Sequence, residues 1–429
     1  MKKKKFFINF YFIFSLLILI LTFYKSEVQW SGNIRDYYHK YYFLSFIFFF
    51  ISFVYFYLNQ INKKYFNIIF TSLLLGIYSF EIYISFIFKD NILEKSIKIY
   101  EKQNSKKFDT RTNTEILNDL ITKNKKTTLV VKPFEFETIY SFAGISKYQT
   151  IFCNENGYRV IYDSDRYGFN NPDYEWDSSN IEYVLIGDSF VHGSCVDRPN
   201  DISSVLRNYS RKSVINLGFQ GSGPLIELGI LKEYFPSNAK KILWFYYEGN
   251  DLVDLNRELQ SKLLLKYLNN DNFSQNLNLK QKVIDKKLAK LIDHKKNKKK
   301  ISNSKIFLNK FKKILKLNSV REIILPKHEP GENFIKIMKN LKKFASANNS
   351  ELYFVYLPEY SRYKYDLKNT SYNQIKLIVQ NLDIKFIDIH KEVFIKKDNP
   401  LSLFPFGLPG HYNVQGYKEV SKKIYELTK

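Results

Sequence analysis

The stretch Tyr183-Val184-Leu185-Ile186-Gly187-Asp188-Ser189-Phe190-Val191-His192-Gly193-Ser194-Cys195 carries a short apolar run into Gly-Asp-Ser and then into a second glycine. A run of that kind, closed by glycine, reads as a buried strand ending in a tight turn. A small polar pair at such a point is either a structural turn or the place where a nucleophile is exposed. The rest of the chain decides between the two.

Working outward, the same rhythm repeats. Short apolar strands at Tyr183–Ile186, Val214–Leu217, Ile242–Tyr247, Glu351–Leu357 and Lys385–Ile389 alternate with helical stretches at Ser203–Ser210, Leu225–Tyr234, Asn333–Asn348 and Val414–Leu427. Alternation of this type predicts an α/β fold, a parallel sheet covered by helices on both faces. In such sheets function gathers at the carboxyl ends of the strands. Gly187-Asp188-Ser189 follows the first strand, Gly218-Phe219-Gln220-Gly221-Ser222-Gly223 the second, and Glu248-Gly249-Asn250-Asp251 the third. Pro409-Gly410-His411 lies beyond the last strand, just before the final helix.

Each of these has a use in acyl transfer. A serine at a helix N-terminus exposes its Oγ and turns its own N–H towards a developing oxyanion. A glycine in the next loop lets a second N–H approach, since no Cβ intervenes. An asparagine amide is an uncharged third donor. A histidine can take the serine proton and return it to the leaving group. Singly, each has a plain structural reading: a turn, a helix cap at Asn250-Asp251, a surface histidine. His192, three residues after Ser189, and the neighbouring Ser194 read as structural.

Together and in this order, the blocks resemble the SGNH (GDSL-type) hydrolase family, over Ile181 to Lys429. The resemblance implies a flavodoxin-like three-layer α/β/α domain with a parallel sheet, Ser189 as nucleophile and His411 as base. It implies an oxyanion hole from Ser189, Gly221 and Asn250. Two positions depart from the family pattern. Glu248 stands where a glycine is usual, and Leu408 and Pro409 occupy the places where the family carries the acid. The partner of His411 is therefore a backbone carbonyl, leaving a Ser–His dyad, or a carboxylate from elsewhere. Asp388, at the end of the last strand, is the candidate acid, with a strand-end cap as its plain reading.

The first ninety residues carry a different signal. Apolar runs at Phe6–Tyr24, Tyr41–Leu58 and Tyr65–Phe88 each approach the ~20 residues that a membrane-spanning helix needs. Glu81 is the acidic residue inside the third. The Lys2–Lys5 cluster favours a cytoplasmic N-terminus, which puts everything after Phe88 on the non-cytoplasmic side as a multi-pass membrane protein. Cys153 and Cys195 then meet an oxidising compartment, and a disulfide is expected, the alternative being two buried thiols.

Domain boundaries follow: a membrane anchor over 1–89, a stalk over 90–126, a β-rich lead-in over 127–180, and the hydrolase-like domain over 181–429. A lysine-rich helical insertion at 254–326 interrupts the last of these. Its lysines read as a solvated face or as a basic flap on anionic lipid heads. Lys+Arg number 66 against 42 Asp+Glu, a net charge of +24, but no nucleic-acid motif accompanies it and none of the expected partners is a nucleic acid. The expected partners are the lipid bilayer, an acylated glycan or lipid substrate, and a membrane acyl-transfer partner if the acceptor is a sugar hydroxyl. No metal-spaced Cys/His cluster or phosphate-binding loop occurs, so neither metal nor cofactor is expected. The activity implied is ester hydrolysis. O-acyl transfer to a surface polysaccharide and an inactive glycan-binding role are its alternatives.

Overall fold

The computed structural model describes residues 9–30, 32, 35–87, 91–296, 303–324, 329–367 and 369–429. The Lys2–Lys5 cluster and Lys298–Lys300 of the insertion lie outside these residues. The chain divides into two compact units, Met1–Asp90 with Lys300–His328, and Asn91–Lys299 with Glu329–Lys429.

The first unit is built on helices α1 (Phe10–Phe23), α2 (Arg35–Tyr57) and α3 (Gln60–Ile87). Three segments, Phe10–Gln29, Tyr38–Tyr57 and Gln60–Ser85, are long and apolar enough to cross a membrane. Helices in lipid associate through close packing and polar contacts, because burying apolar surface gains nothing there. Ser15 and Ser45 accordingly donate to each other's backbone carbonyls, both at 2.9 Å, and tie α1 to α2. Glu81 is fully buried, where a carboxylate needs donors. It accepts the N–H groups of Ser319 at 3.1 Å and Val320 at 2.8 Å. The expected insertion is thus divided. Its helices Asn303–Leu315 and Asn318–Ile324 group with the three apolar helices, whereas Lys262–Asn269 and Gln281–Lys296 group with the second unit.

The second unit holds a five-stranded, all-parallel sheet of β1 (Ile181–Ile186), β2 (Ser213–Asn216), β3 (Ala239–Tyr247), β4 (Glu351–Leu357) and β5 (Lys385–Asp388), ordered β2-β1-β3-β4-β5. Side chains alternate across it. Tyr183 and Leu185, Leu243 and Phe245, and Tyr353, Val355 and Leu357 share one core with Ile202 and Leu206 of helix Ile202–Ser210. On the opposite face Tyr246 meets Phe334 of helix Glu332–Ala347, with ring centroids 5.9 Å apart. This is the expected three-layer α/β/α arrangement. The strand order reverses between β1 and β3, and the crevice at such a reversal is where open sheets bind ligands. Three helices flank that crevice: α4 (Ser189–His192), α5 (Asp251–Glu258) and α6 (Val414–Thr428).

Ahead of the sheet, Thr127–Leu129, Gln149–Ile151 and Ile161–Asp163 form a small three-stranded sheet, and Phe134–Phe136 pairs with Ile139–Ser141 as a hairpin. The stalk region forms helices Ile92–Gln103 and Asn113–Ile121, the latter started by a Thr112/Glu115 capping box. Cys153 and Cys195 are joined in a disulfide, with Cα atoms 5.1 Å apart.

Candidate active site

The opening stretch folds as the end of β1 and one turn of helix. A Cβ on Gly187 would lie 2.5 Å from Val191 Cγ2, so glycine lets α4 fold back on the strand. Asp188 caps α4 by accepting the Phe190 N–H at 2.9 Å, and Gly193 ends it with φ +84. The loop after β2 is drawn onto the same point. Phe219 N donates to Gly187 O at 3.1 Å, and a Cβ on Gly218 would stand 2.4 Å from Val191 Cβ. His192 is fully buried, its ring between Phe152 and Phe219 at 4.3 and 4.7 Å. Its Nδ1 accepts the Gln220 N–H at 3.1 Å, so it props the loop that carries Gly221. Burial holds its pKa down at about 3, and it stays neutral.

His411 Nε2 lies 2.9 Å from Ser189 Oγ. His411 Nδ1 lies 2.9 Å from Glu155 Oε1, and the His411 backbone N–H donates to Glu155 Oε2 at 2.7 Å. A carboxylate on Nδ1 selects the tautomer with its proton there, leaving the Nε2 lone pair for the serine hydroxyl. That hydroxyl also stands 3.3 Å from Asp188 Oδ2, but the contact to His411 is shorter. Burial by itself would lower the His411 pKa; the Glu155 charge and hydrogen bond outweigh it and raise the imidazole above its usual value. Burial likewise works to raise Glu155, and His411 wins, holding the carboxyl below its usual range.

The carboxylate that meets His411 Nδ1 is Glu155, and not the candidate Asp388. Asp388 caps the short helix after β5, accepting the Lys391 N–H at 3.1 Å and the Tyr372 hydroxyl. Among the described residues it has no bond to His411. The carboxylate comes from the loop Cys153–Gly157, 256 residues before His411. Gly410 makes room for it, since a Cβ there would meet Glu155 Oε2 at 2.8 Å. The acid-bearing loop is fixed on both sides of Glu155. Cys153 is bonded to Cys195, and Asn156 Nδ2 donates to Cys195 O at 2.7 Å. The position before His411 needs no acid of its own, because the lead-in delivers one.

The expected oxyanion donors have hydrogens to spare. Among the described residues, neither the Ser189 nor the Gly221 N–H donates to another group. Gly221 has φ +80, and the stem of Lys132 lies against it. The Asn250 amide donates one hydrogen to Asp254 Oδ2 at 2.7 Å, which orients it and leaves the second. Glu248, the other departure from the family pattern, is structural. Its buried carboxylate accepts from Arg362 Nε at 2.8 Å and from the Glu359 N–H at 2.8 Å, tying β3 to the loop after β4.

Glu155, His411 and Cys195 bring donor atoms within 4.8 Å of one another. Cys195 Sγ is held in the disulfide and His411 Nδ1 faces Glu155, so the cluster is an acid–base pair beside a disulfide. Behind the serine lies a group of buried carboxyls. Burial pushes Asp188 up to about 6 and Glu258 up to about 8. Glu258 accepts the N–H groups of Gly223, Leu225 and Ile226, which anchors the far end of the Gly221 loop.

No protein-family model matches the chain, and no curated protein sequence does so. Among solved structures, it is similar to a protein from Desulfitobacterium hafniense DCB-2 described as lipolytic and of the G-D-S-L family, at 15% identity and TM-score 0.32, covering 58% of this chain and 99% of that one. It is also similar to the protein YxiM of Bacillus subtilis, at 11% identity and TM-score 0.31, covering 57% and 55% of the two chains.

Proposed function

We propose that this protein is a membrane-associated serine ester hydrolase with the triad Ser189–His411–Glu155. The observation that carries the reading is the unbroken chain of contacts from Ser189 Oγ through both ring nitrogens of His411 to Glu155, at 2.9 Å each. Ser189 Oγ attacks the ester carbonyl while His411 Nε2 takes its proton. Glu155 stabilises the imidazolium that forms. The N–H groups of Ser189 and Gly221 and the free Asn250 amide hydrogen receive the oxyanion. His411 then protonates the departing alcohol, and a water molecule, deprotonated by the same nitrogen, releases the acid from Ser189.

The substrate class is an O-acyl ester, such as acetyl, on an envelope glycan or lipid, a reading supported by the three apolar helices that tether the enzyme to a bilayer. We place the α/β unit on the non-cytoplasmic side, supported by the Cys153–Cys195 disulfide, which persists in oxidising compartments. A C-terminal alkaline phosphatase fusion is active in that orientation; an inactive fusion would reverse it. A fluorophosphonate probe labels the full-length wild type and not Ser189→Ala, and the wild type releases acetate from acetylated glycan. Absence of labelling in both proteins would refute the hydrolase reading. Acetate moved to added glycan in preference to water would make the enzyme an O-acyltransferase.

A further inference from the structure

Asn303–Ile324 takes no part in the chemistry above. Its helices belong to the unit of the membrane helices, although the sequence joins them to the α/β unit on both sides. Several contacts seat them on α3. Tyr78 Oη donates to Leu315 O at 3.2 Å, Ser85 Oγ and Ser319 Oγ lie 3.2 Å apart, and Glu81 accepts the Ser319 and Val320 N–H groups. Tyr78, Glu81 and Ser85 are three and four residues apart, so they share one face of α3. That face belongs to the closing turns of a span that ends at Ser85. Arg321 Nη2 also donates to Tyr41 Oη, near the start of α2, at 2.6 Å.

The helix Asn303–Leu315 carries an uncovered apolar stripe. Leu308, Phe311 and Leu315, at i, i+3 and i+7, are 52%, 49% and 53% exposed. Lys310, Lys312, Lys313 and Lys316 are exposed on the adjoining arc. Large apolar side chains on one face with lysines along its flank are the marks of a helix lying in a membrane interface. The stripe belongs to the same unit as the lipid-facing side chains of the spans, which says what covers it. The lysines match the charge of acidic headgroups.

We propose that Asn303–Leu315 is an interfacial helix, its Leu308–Phe311–Leu315 stripe at the acyl-chain boundary and its lysines on the phosphates of anionic phospholipids. The chain of the α/β unit is thereby attached to the bilayer twice, before Asn91 and again between Lys299 and Glu329. Glu81 acts as the internal latch, because its buried carboxylate finds donors at the start of helix Asn318–Ile324. This inference does not depend on the esterase reading.

The test uses the full-length protein in phosphatidylcholine/phosphatidylglycerol vesicles. Both native cysteines are in the disulfide, so a single introduced cysteine takes a bimane label. At Leu308→Cys and Phe311→Cys, acyl-brominated lipid is expected to quench the label roughly twofold or more above aqueous iodide, with the reverse at Lys310→Cys. Iodide matching or exceeding brominated lipid at Leu308→Cys and Phe311→Cys would overturn the proposal. Protection from both quenchers would also overturn it, pointing to a protein partner. At equal mole fraction, brominated phosphatidylglycerol is expected to quench Phe311→Cys more than brominated phosphatidylcholine. Changing Lys310, Lys312, Lys313 and Lys316 to Gln should abolish that preference. Equal quenching by the two lipids in the wild type would overturn the assignment to anionic headgroups.

Discussion

Two regions meet at His411 and differ in how they supply the site. The strand ends of the sheet present Ser189, Gly221, Asn250 and His411 from one scaffold, each within a few residues of a strand or helix terminus. The lead-in loop Cys153–Gly157 presents Glu155 from outside that scaffold, held by a disulfide and the Asn156 hydrogen bond to Cys195 and by hydrogen bonds of Asn154 and Gly157 to Asp109. The sheet gives rigidity through its core; the lead-in adds a covalent staple to a small apolar cluster and its hydrogen bonds. Glu155 is therefore the part of the site that is placed by a tied loop rather than by a strand end.

Perturbing the sheet side should hurt most. Ser189→Ala is expected to lower ester hydrolysis by on the order of 10⁶-fold, since it removes the nucleophile. A residual rate within tenfold of wild type would move the chemistry elsewhere. Asn250→Ala removes one of three oxyanion donors, with an expected loss of about 10²–10³-fold in kcat and little change in KM. A change confined to KM would make Asn250 a binding group only.

The lead-in side should yield more gradually. Removing the disulfide, by reduction or as Cys153→Ser with Cys195→Ser, leaves the acid loop to its hydrogen bonds, Asn156 Nδ2 to Cys195 O, Asn154 Nδ2 to Asp109 O and Asp109 N–H to Gly157 O. We expect roughly 10–100-fold lower kcat from misplacement of Glu155, and a loss of roughly 2–4 kcal/mol in unfolding free energy for a closed separation of 42 residues. Unchanged kcat in a protein of reduced stability would show that the staple serves the fold alone. Asp388→Asn should change activity by less than about twofold, because the side chain caps a helix at the sheet edge. A loss comparable to that of a triad residue would restore it as the acid.

The same contrast explains what was legible in the sequence. The five strands, their helices and the order of the four strand-end blocks follow from hydrophobic periodicity and turn residues, which are local signals. The Cys153–Cys195 pair was legible from compartment and count. Glu155 was not, because a loop residue packed across 256 positions leaves no periodic trace. Two signals bore on it nonetheless. A Cys153–Cys195 bond brings residue 155 close to the segment that follows Ser189, and Glu155 is the carboxylate nearest Cys153 in sequence. Gly410, beside His411, is small because the carboxylate passes there. The division of the insertion was hidden for a similar reason, since the pairing of Glu81 with Ser319 and Val320 spans some 240 residues.

The most direct test of Glu155 as the acid is the pH dependence of kcat/KM for the wild type beside Glu155→Gln. The base must be neutral to act, so the rate rises with pH through the His411 pKa, which Glu155 holds above its usual 6.5. In Glu155→Gln the larger raising influence is gone, the Asp188 charge remains, and burial still lowers the imidazole. The acid limb should therefore move to lower pH while the plateau falls by on the order of 10³–10⁴-fold. An unshifted limb with a plateau within a few-fold of wild type would contradict the assignment of Glu155 as the acid.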